Sequence, residues 1–155
     1  MAGAPVIRAH PGRGRSRLLL LYTTNNCGPY QTGRINTVSN GMRICGNSND
    51  PLPSGYVITS EGPDSTCSQW YGETVNVASN GIAVCGNSPI PANYVITANF
   101  QVSSCGQYLG GRLNVAYNGI IACADSPTPP GYWVSANGIQ SSACSPYQAE
   151  RLNNS

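Results

Sequence analysis

The sequence predicts an all-β protein, a tandem array of about three disulfide-stapled β units of about 39 residues, each a hairpin plus a third strand. Cysteines recur at a fixed spacing, which makes an internal repeat the dominant signal. An Asn-Gly turn recurs between runs of β-forming residues. No window shows a sustained helical period. A β-trefoil, a closed barrel of three similar repeats, is the alternative fold.

The cysteines define the copies. A leading cysteine is followed eighteen residues later by a second one in each copy, and a seventh cysteine opens a partial fourth copy. The copies span 27–66, 67–104, 105–143 and the partial 144–155, and residues 1–26 are set apart as an atypical basic segment. The cysteines concerned are Cys27 and Cys45, Cys67 and Cys85, Cys105 and Cys123, and then Cys144.

Two disulfide pairings fit the spacing. The first closes each copy on itself (27–45, 67–85, 105–123) and leaves Cys144 over. The second joins each copy to the next (45–67, 85–105, 123–144), with separations of 22, 20 and 21 residues, and leaves Cys27 over. An odd cysteine in a secreted chain predicts disulfide-linked oligomers. An inert thiol is the alternative.

The Asn-Gly turns predict two-residue hairpins, because a type I′ turn needs positive φ at both central positions. Ile35–Ser39 would then pair with Met42–Gly46, and the later copies would pair in the same way, which places Asn36 opposite Cys45. The later hairpins are Val75–Ser79 with Ile82–Gly86, opposing Asn76 and Cys85, and Leu113–Tyr117 with Ile120–Ala124, opposing Asn114 and Cys123.

A proline-bearing loop follows each second cysteine and leads into the third strand. Proline cannot donate to a strand ladder, so it marks the crossover. The β-branched and aromatic residues that follow it are typical of a strand. These strands begin at Tyr56, Tyr94 and Tyr132.

The N-terminal segment predicts a degraded signal peptide, a misassigned start or a disordered basic arm, and the first two are favoured. Met1–Arg17 carries four arginines, but the apolar run Leu18–Tyr22 is shorter than the about 7–15 residues of a signal. Seven cysteines with 18 glycines indicate a secreted, periplasmic or other extracellular protein. No stretch approaches the roughly 20 apolar residues of a membrane span.

Composition argues against several functional classes. The repeat region carries four arginines and six carboxylates and is therefore mildly acidic, which disfavours nucleic-acid binding. The only histidine is His10, so neither a zinc site nor a Ser-His device is expected in the repeats. Exposed turn acids are favoured over a carboxylate pair, and turn capping over calcium binding at Asn47–Asp50. We therefore expect no enzyme, no catalytic residues, no metal and no cofactor.

The repeated aromatic residues are the candidate binding positions. An aromatic side chain falls three residues after every leading cysteine, amid Asn, Gln and Ser, as a sugar-binding face would require. Packing into the core is the favoured alternative for each position. The candidate binding residues are Tyr30, Trp70, Tyr108 and Tyr147, and the second repeated position holds Tyr56, Tyr94 and Tyr132.

Three functions remain open. The first is an exported, non-enzymatic repeat protein with a structural or surface-binding role. The second is a carbohydrate-binding module that binds a surface glycan through the repeated Tyr and Trp positions. The third is a small defensive or inhibitory protein that binds another protein through the variable loops Asn47–Ser54 and Glu61–Ser65.

Overall fold

The computed structural model describes residues 17–22, 32–46, 52–67, 71–106 and 109–155 of the chain, with the backbone alone at 17–22 and 32–36. These residues are nearly all in strands, turns and short 3₁₀ turns, and none of their helices is long and apolar enough to cross a membrane. The strands are β1 (Arg17–Tyr22), β2 (Thr32–Thr37), β3 (Met42–Cys45), β4 (Tyr56–Pro63), β5 (Tyr71–Val77), β6 (Ala83–Cys85), β7 (Tyr94–Gln101), β8 (Leu109–Val115), β9 (Ile120–Cys123), β10 (Tyr132–Ile139) and β11 (Ala149–Asn154).

Three antiparallel sheets of three strands form the array, which confirms the predicted tandem fold over the closed trefoil. Their strand orders are β3-β5-β4, β6-β8-β7 and β9-β11-β10, and we call these sheets unit 1, unit 2 and unit 3. A further pair, β1 with β2, precedes unit 1. In every unit the strand that comes last in the chain lies in the middle of the sheet. Each unit therefore takes its central strand from the next copy of the sequence repeat.

The predicted hairpins are wrong, although the Asn-Gly turns form. The amide of Met42 donates to the Ser39 carbonyl at 3.1 Å, which closes the turn, and Gly41 has a φ of +73°. The strands on either side of the turn nevertheless pair elsewhere: β2 with β1, and β3 with β5.

The predicted cross-strand partners change with the pairing. Cys45 lies opposite Gly72, and Asn76 lies opposite Val57. In the other copies, Asn36 lies opposite Leu18, Cys85 opposite Gly110, Asn114 opposite Val95, and Cys123 opposite Ala149.

Each Asn-Gly turn is bound to the central strand of the unit that it opens. In unit 2, the Gly81 amide donates to the Leu113 carbonyl at 2.7 Å, and the Asn80 side-chain oxygen accepts from the Val115 amide at 2.6 Å. The same two bonds recur in units 1 and 3, at Gly41 to Val75, Asn40 to Val77, Gly119 to Leu152 and Asn118 to Asn154. The turn thus delivers the chain from one unit to the next instead of closing a hairpin.

The disulfides follow the second predicted pairing. Cys45–Cys67, Cys85–Cys105 and Cys123–Cys144 join the end of each first strand to the 3₁₀ turn that precedes the central strand. Cys144, the leftover cysteine of the first pairing, is therefore bonded. Cys27 lies outside the described residues.

Adjacent units are joined through the strands that follow the proline loops. We call these strands, β4, β7 and β10, the third strands of their units. Val57 of β4 is fully buried with Val84 and Leu113 of unit 2. Val95 of β7 is buried in the same way among Ile120, Ala122 and Leu152 of unit 3. Since units 1 and 2 each contribute a side chain to the core of the next unit, the described units form one continuous packed array.

The two ends of the repeat region also contribute strands. The partial copy 144–155 supplies β11, the central strand of unit 3, and so completes that unit. At the other end, β1 lies within 1–26, the segment set apart from the repeats by its sequence. It nevertheless pairs with β2 as β4 pairs with β5: Leu18 lies opposite Asn36, and Val57 lies opposite Asn76.

Candidate functional site

Of the four predicted aromatic binding positions, the structure describes Tyr147. Tyr30, Trp70 and Tyr108 lie outside the described residues. Tyr147 lies just after the third 3₁₀ turn, and 48% of its surface is exposed. Its amide donates to the Cys144 carbonyl at 2.8 Å, which holds the backbone beside the disulfide. The ring of Tyr147 is accessible, and the repeated binding face stays a prediction.

The second aromatic position is structural, as the core-packing alternative predicts. Tyr56 and Tyr94 are half-buried against the cores of their units. The Tyr56 hydroxyl donates to the Val38 carbonyl at 3.2 Å, and the Tyr94 hydroxyl donates to the Ala78 carbonyl at 3.0 Å. Tyr56 and Tyr94 thus tie β4 and β7 to the segment after the preceding central strand.

A groove between units 2 and 3 is the candidate ligand site. Its volume is about 390 Å³, and Tyr117, 62% exposed, forms part of its wall. The remaining lining residues are Asn80, Thr97, Asn114, Val115, Gly119, Ile120 and Ile121. A ring beside amides, a hydroxyl and aliphatic side chains can bind a small polar ligand with apolar faces, such as a sugar.

Hydrogen bonds fix the polar side chains of this groove. The Asn80 oxygen accepts from the Val115 amide, and the Asn114 side-chain amide donates to the Thr97 hydroxyl at 2.6 Å. Each bond uses one half of a carboxamide, and the other half has no hydrogen-bond partner among the residues that the structure describes. The Asn80 side-chain nitrogen and the Asn114 side-chain oxygen thus remain available on two immobilised side chains.

Sequence reasoning missed Tyr117, although the repeat contains a signal for it. Ser39 and Ser79 occupy the equivalent position in the earlier copies, immediately before the Asn-Gly turn. A single aromatic residue at a position that otherwise holds serine marks a local specialisation. Its neighbours could not be predicted, because Thr97 reaches the groove only through the pairing of β7 with β8.

Two carboxylates come together at the junction of units 1 and 2. Glu61 and Glu73 lie directly opposite each other on β4 and β5. The Asn87 side-chain amide of unit 2 donates to Glu61 at 2.9 Å and lies 3.5 Å from Glu73. Burial raises the pKa of Glu73, and the negative charge of Glu61 raises it further. Burial also raises the pKa of Glu61, against the opposing effect of the Asn87 hydrogen bond.

The same bridge recurs at the next junction with its groups exchanged. The Asn99 side-chain amide of unit 2 donates to Asp125 of unit 3 at 3.2 Å, and Asn99 and Asp125 hold the repeat positions of Glu61 and Asn87. Because an amide and a carboxylate meet at both junctions, we interpret these groups as links between units. The expectation of exposed turn acids is therefore wrong for Glu61 and Glu73, which are half-buried and paired across β4 and β5.

The proposed variable loop Glu61–Ser65 is not a free loop. Glu61 to Pro63 belongs to β4, and Ser65 opens a 3₁₀ turn. Asp64 accepts from the Thr66 hydroxyl at 2.6 Å and from the Arg43 guanidinium at 2.6 Å, and these bonds hold its pKa at about 2. The Arg43 and Asp64 side chains meet over Gly72, where an added Cβ would lie 2.6 Å from each of them. In the other loop, Asn47–Ser54, residues 47–51 lie outside the described residues.

The third strand of unit 3 has an exposed outer edge. Trp133 occupies the register position of Val57 and Val95, which are fully buried, yet 48% of its surface is exposed. Val134, which follows it, is 40% exposed. Within the described ranges, no unit packs against this strand.

Within the residues that the structure describes, no three His, Cys, Asp or Glu side chains come together to hold a metal ion. No family model, no curated protein and no solved structure matches this chain. The fold defines a class, that of disulfide-stapled all-β repeat proteins.

Proposed function

We propose that this chain is a non-enzymatic structural protein of an oxidising, extracellular compartment. Its role would be to form a stiff array that presents surfaces for binding. The observation that carries the proposal is the exchange of side chains between units, in which Val57 and Val95 complete the cores of units 2 and 3. An array joined in this way resists bending at its junctions, unlike domains joined by free linkers.

The disulfides support an oxidising compartment. The six cysteines bonded within the described ranges are at most 3% exposed and lie within the small cores. A crosslink that closes a loop of about twenty residues contributes roughly 3 kcal/mol in the chain-entropy model. Since whole domains are stable by only about 5–15 kcal/mol, units this small depend on their crosslinks. The folded chain would therefore be stable only in a compartment that maintains disulfides.

Cell fractionation tests the proposal. Producing cells are separated into medium, cell envelope and cytosol, and the chain is detected with an antibody after alkylation of free thiols. We expect oxidised chain in the medium or the envelope. Reduced, folded chain that accumulates in the cytosol would refute the proposal.

Carbohydrate binding is the second candidate function, and the groove beside Tyr117 is the observation that favours it. A pyranose could stack its apolar face on the ring while its hydroxyls bond to Asn80 and Asn114. A glycan array tests this reading: Tyr117→Ala should remove binding. Tyr71→Ala is the matched control, since Tyr71 is similarly exposed at 57% and lies outside the groove. Trp70→Ala tests the aromatic position predicted from the sequence. Loss of binding in Tyr71→Ala alone would exclude the groove.

A further inference from the structure

We propose that the outer edge of β10 pairs with the same edge of a second copy of this chain to form a two-fold symmetric dimer. The inference rests on the proposed structural role, because it names the partner that extends the array. The two can fail separately: a monomeric chain could still be exported and oxidised, and a dimeric chain could still be cytosolic.

The third strands β4, β7 and β10 are equivalent elements of their units. β4 is covered by β6 and the 3₁₀ turn of unit 2, and β7 is covered by β9 and the 3₁₀ turn of unit 3. β10 is the same element, with Trp133 where the covered strands carry buried valines. The surface that joins units inside the chain is therefore exposed on unit 3, and it carries a larger apolar side chain there.

The outward backbone amides of β4 and β7 are hydrogen-bonded to the next unit, whereas that of β10 is not bonded in this way within the described ranges. In units 1 and 2 the outward amides of the third strand donate to serine hydroxyls of the next unit, at Ile58 to Ser88 and Ile96 to Ser126, each at 2.9 Å. The equivalent amide of Val134 has no such acceptor in the part of the chain that the structure describes. An unpaired edge amide and carbonyl form a template for another strand.

The β10 edge also lacks two of the usual forms of edge protection, charge and proline. Proteins usually guard edge strands with charges, prolines or bulges. β10 reads Tyr-Trp-Val-Ser-Ala-Asn-Gly-Ile and contains neither charge nor proline. It has register shifts after Val134 and after Ala136, so the regular stretch is Tyr132–Val134. Pairing is therefore expected to centre on Val134 and to stay short.

A second β10 is the partner that fits. The equivalent receiving surfaces of units 2 and 3 are already occupied within the chain, by β4 and β7. Two β10 strands meeting antiparallel at Val134 would exchange both backbone hydrogen bonds at that residue. The edge is uncharged, so two copies do not repel each other there. A contact this short predicts a weak dimer, with a dissociation constant in the micromolar range or above.

Sedimentation equilibrium from micromolar to millimolar concentration tests the dimer in a Cys27→Ser background, which removes any covalent link through that cysteine. The chain should dimerise reversibly. Trp133→Lys should weaken the dimer at least tenfold, and Tyr147→Lys should leave it unchanged, because Tyr147 is equally exposed at 48% but lies off β10. A monomer throughout, or a dimer that Trp133→Lys does not affect, would overturn the proposal.

Two further variants keep the test decisive if Trp133→Lys folds poorly. Val134→Pro removes the outward amide, which an edge strand tolerates, and should also abolish the dimer. Val134→Cys should crosslink on oxidation, since residues in a hydrogen-bonded antiparallel pair have Cα atoms about 5.5 Å apart, within disulfide range. Val77→Cys, at a residue 45% exposed on β5, is the control and should not crosslink. Equal crosslinking of the two variants would refute the pairing.

Discussion

Truncation of the valine that joins one unit to the next should destabilise the whole array. Val57→Ala removes two methyl groups from a fully buried side chain in the core shared with Val84 and Leu113. Each buried carbon contributes about 0.8 kcal/mol, and the residual cavity adds to this loss, so the expected cost is roughly 2–3 kcal/mol. Val95→Ala should cost about the same amount, because Val95 holds the equivalent position in the next unit.

Urea unfolding with intact disulfides, followed by circular dichroism, measures this effect. The midpoint should fall while the slope stays constant. Val77→Ala is the matched control: the same change at a side chain 45% exposed should cost at most about 0.5 kcal/mol. Combining Val57→Ala with Val84→Ala should reveal non-additivity, because the two side chains share one cluster. If Val57→Ala lowers the free energy of unfolding no more than Val77→Ala does, Val57 does not couple unit 1 to unit 2 and the units are independent.

Three other predictions concern the turns, the staples and the acidic pair. Asn80→Ala should lower stability by about 1 kcal/mol in thermal melts, because the Val115 amide loses its acceptor, and Asn80→Asp should retain most of it. Replacing Cys85 and Cys105 by alanine should cost roughly 3 kcal/mol, and an unchanged melting temperature would contradict the role of the staple. The folded state raises the pKa of Glu73 above 4.5, so it binds that proton more tightly than the unfolded chain does. Stability should therefore fall as pH rises from 4.5 through the folded pKa, and Glu73→Gln should flatten that slope; an unchanged slope would contradict it.

Much of the fold could be predicted because it is encoded locally. Proline loops do end where third strands begin: the Tyr94 amide donates to the Pro91 carbonyl in a turn. The Asn-Gly turns have the positive φ that their sequence requires. Chain-internal recurrence also gave the unit count.

Strand partners could not be predicted, because local geometry does not distinguish a hairpin from a crossover. The turn at Asn80-Gly81 closes in either case. What decides the pairing is a contact with Leu113 and Val115, more than thirty residues away, which satisfies both the glycine amide and the asparagine oxygen. The disulfide pairing depends on the same choice, so it stayed open for the same reason.

The candidate groove depended on tertiary contacts that repeat spacing does not encode. Tyr117 and Trp133 each break the repeat, where serine and valine stand in the other copies. That departure is visible in the sequence alone. Whether a departing side chain lines a groove or an open edge follows only from the packing of units 2 and 3.

Disulfide mapping is the direct test of whether each unit is built from two successive copies of the repeat. Chymotryptic digestion of the non-reduced protein can cut between consecutive cysteines, for example at Tyr56 and Tyr94, so mass spectrometry can identify every linked peptide pair. The expected linked pairs are Cys45–Cys67, Cys85–Cys105 and Cys123–Cys144. Links within each copy, Cys27–Cys45, Cys67–Cys85 and Cys105–Cys123, would contradict it.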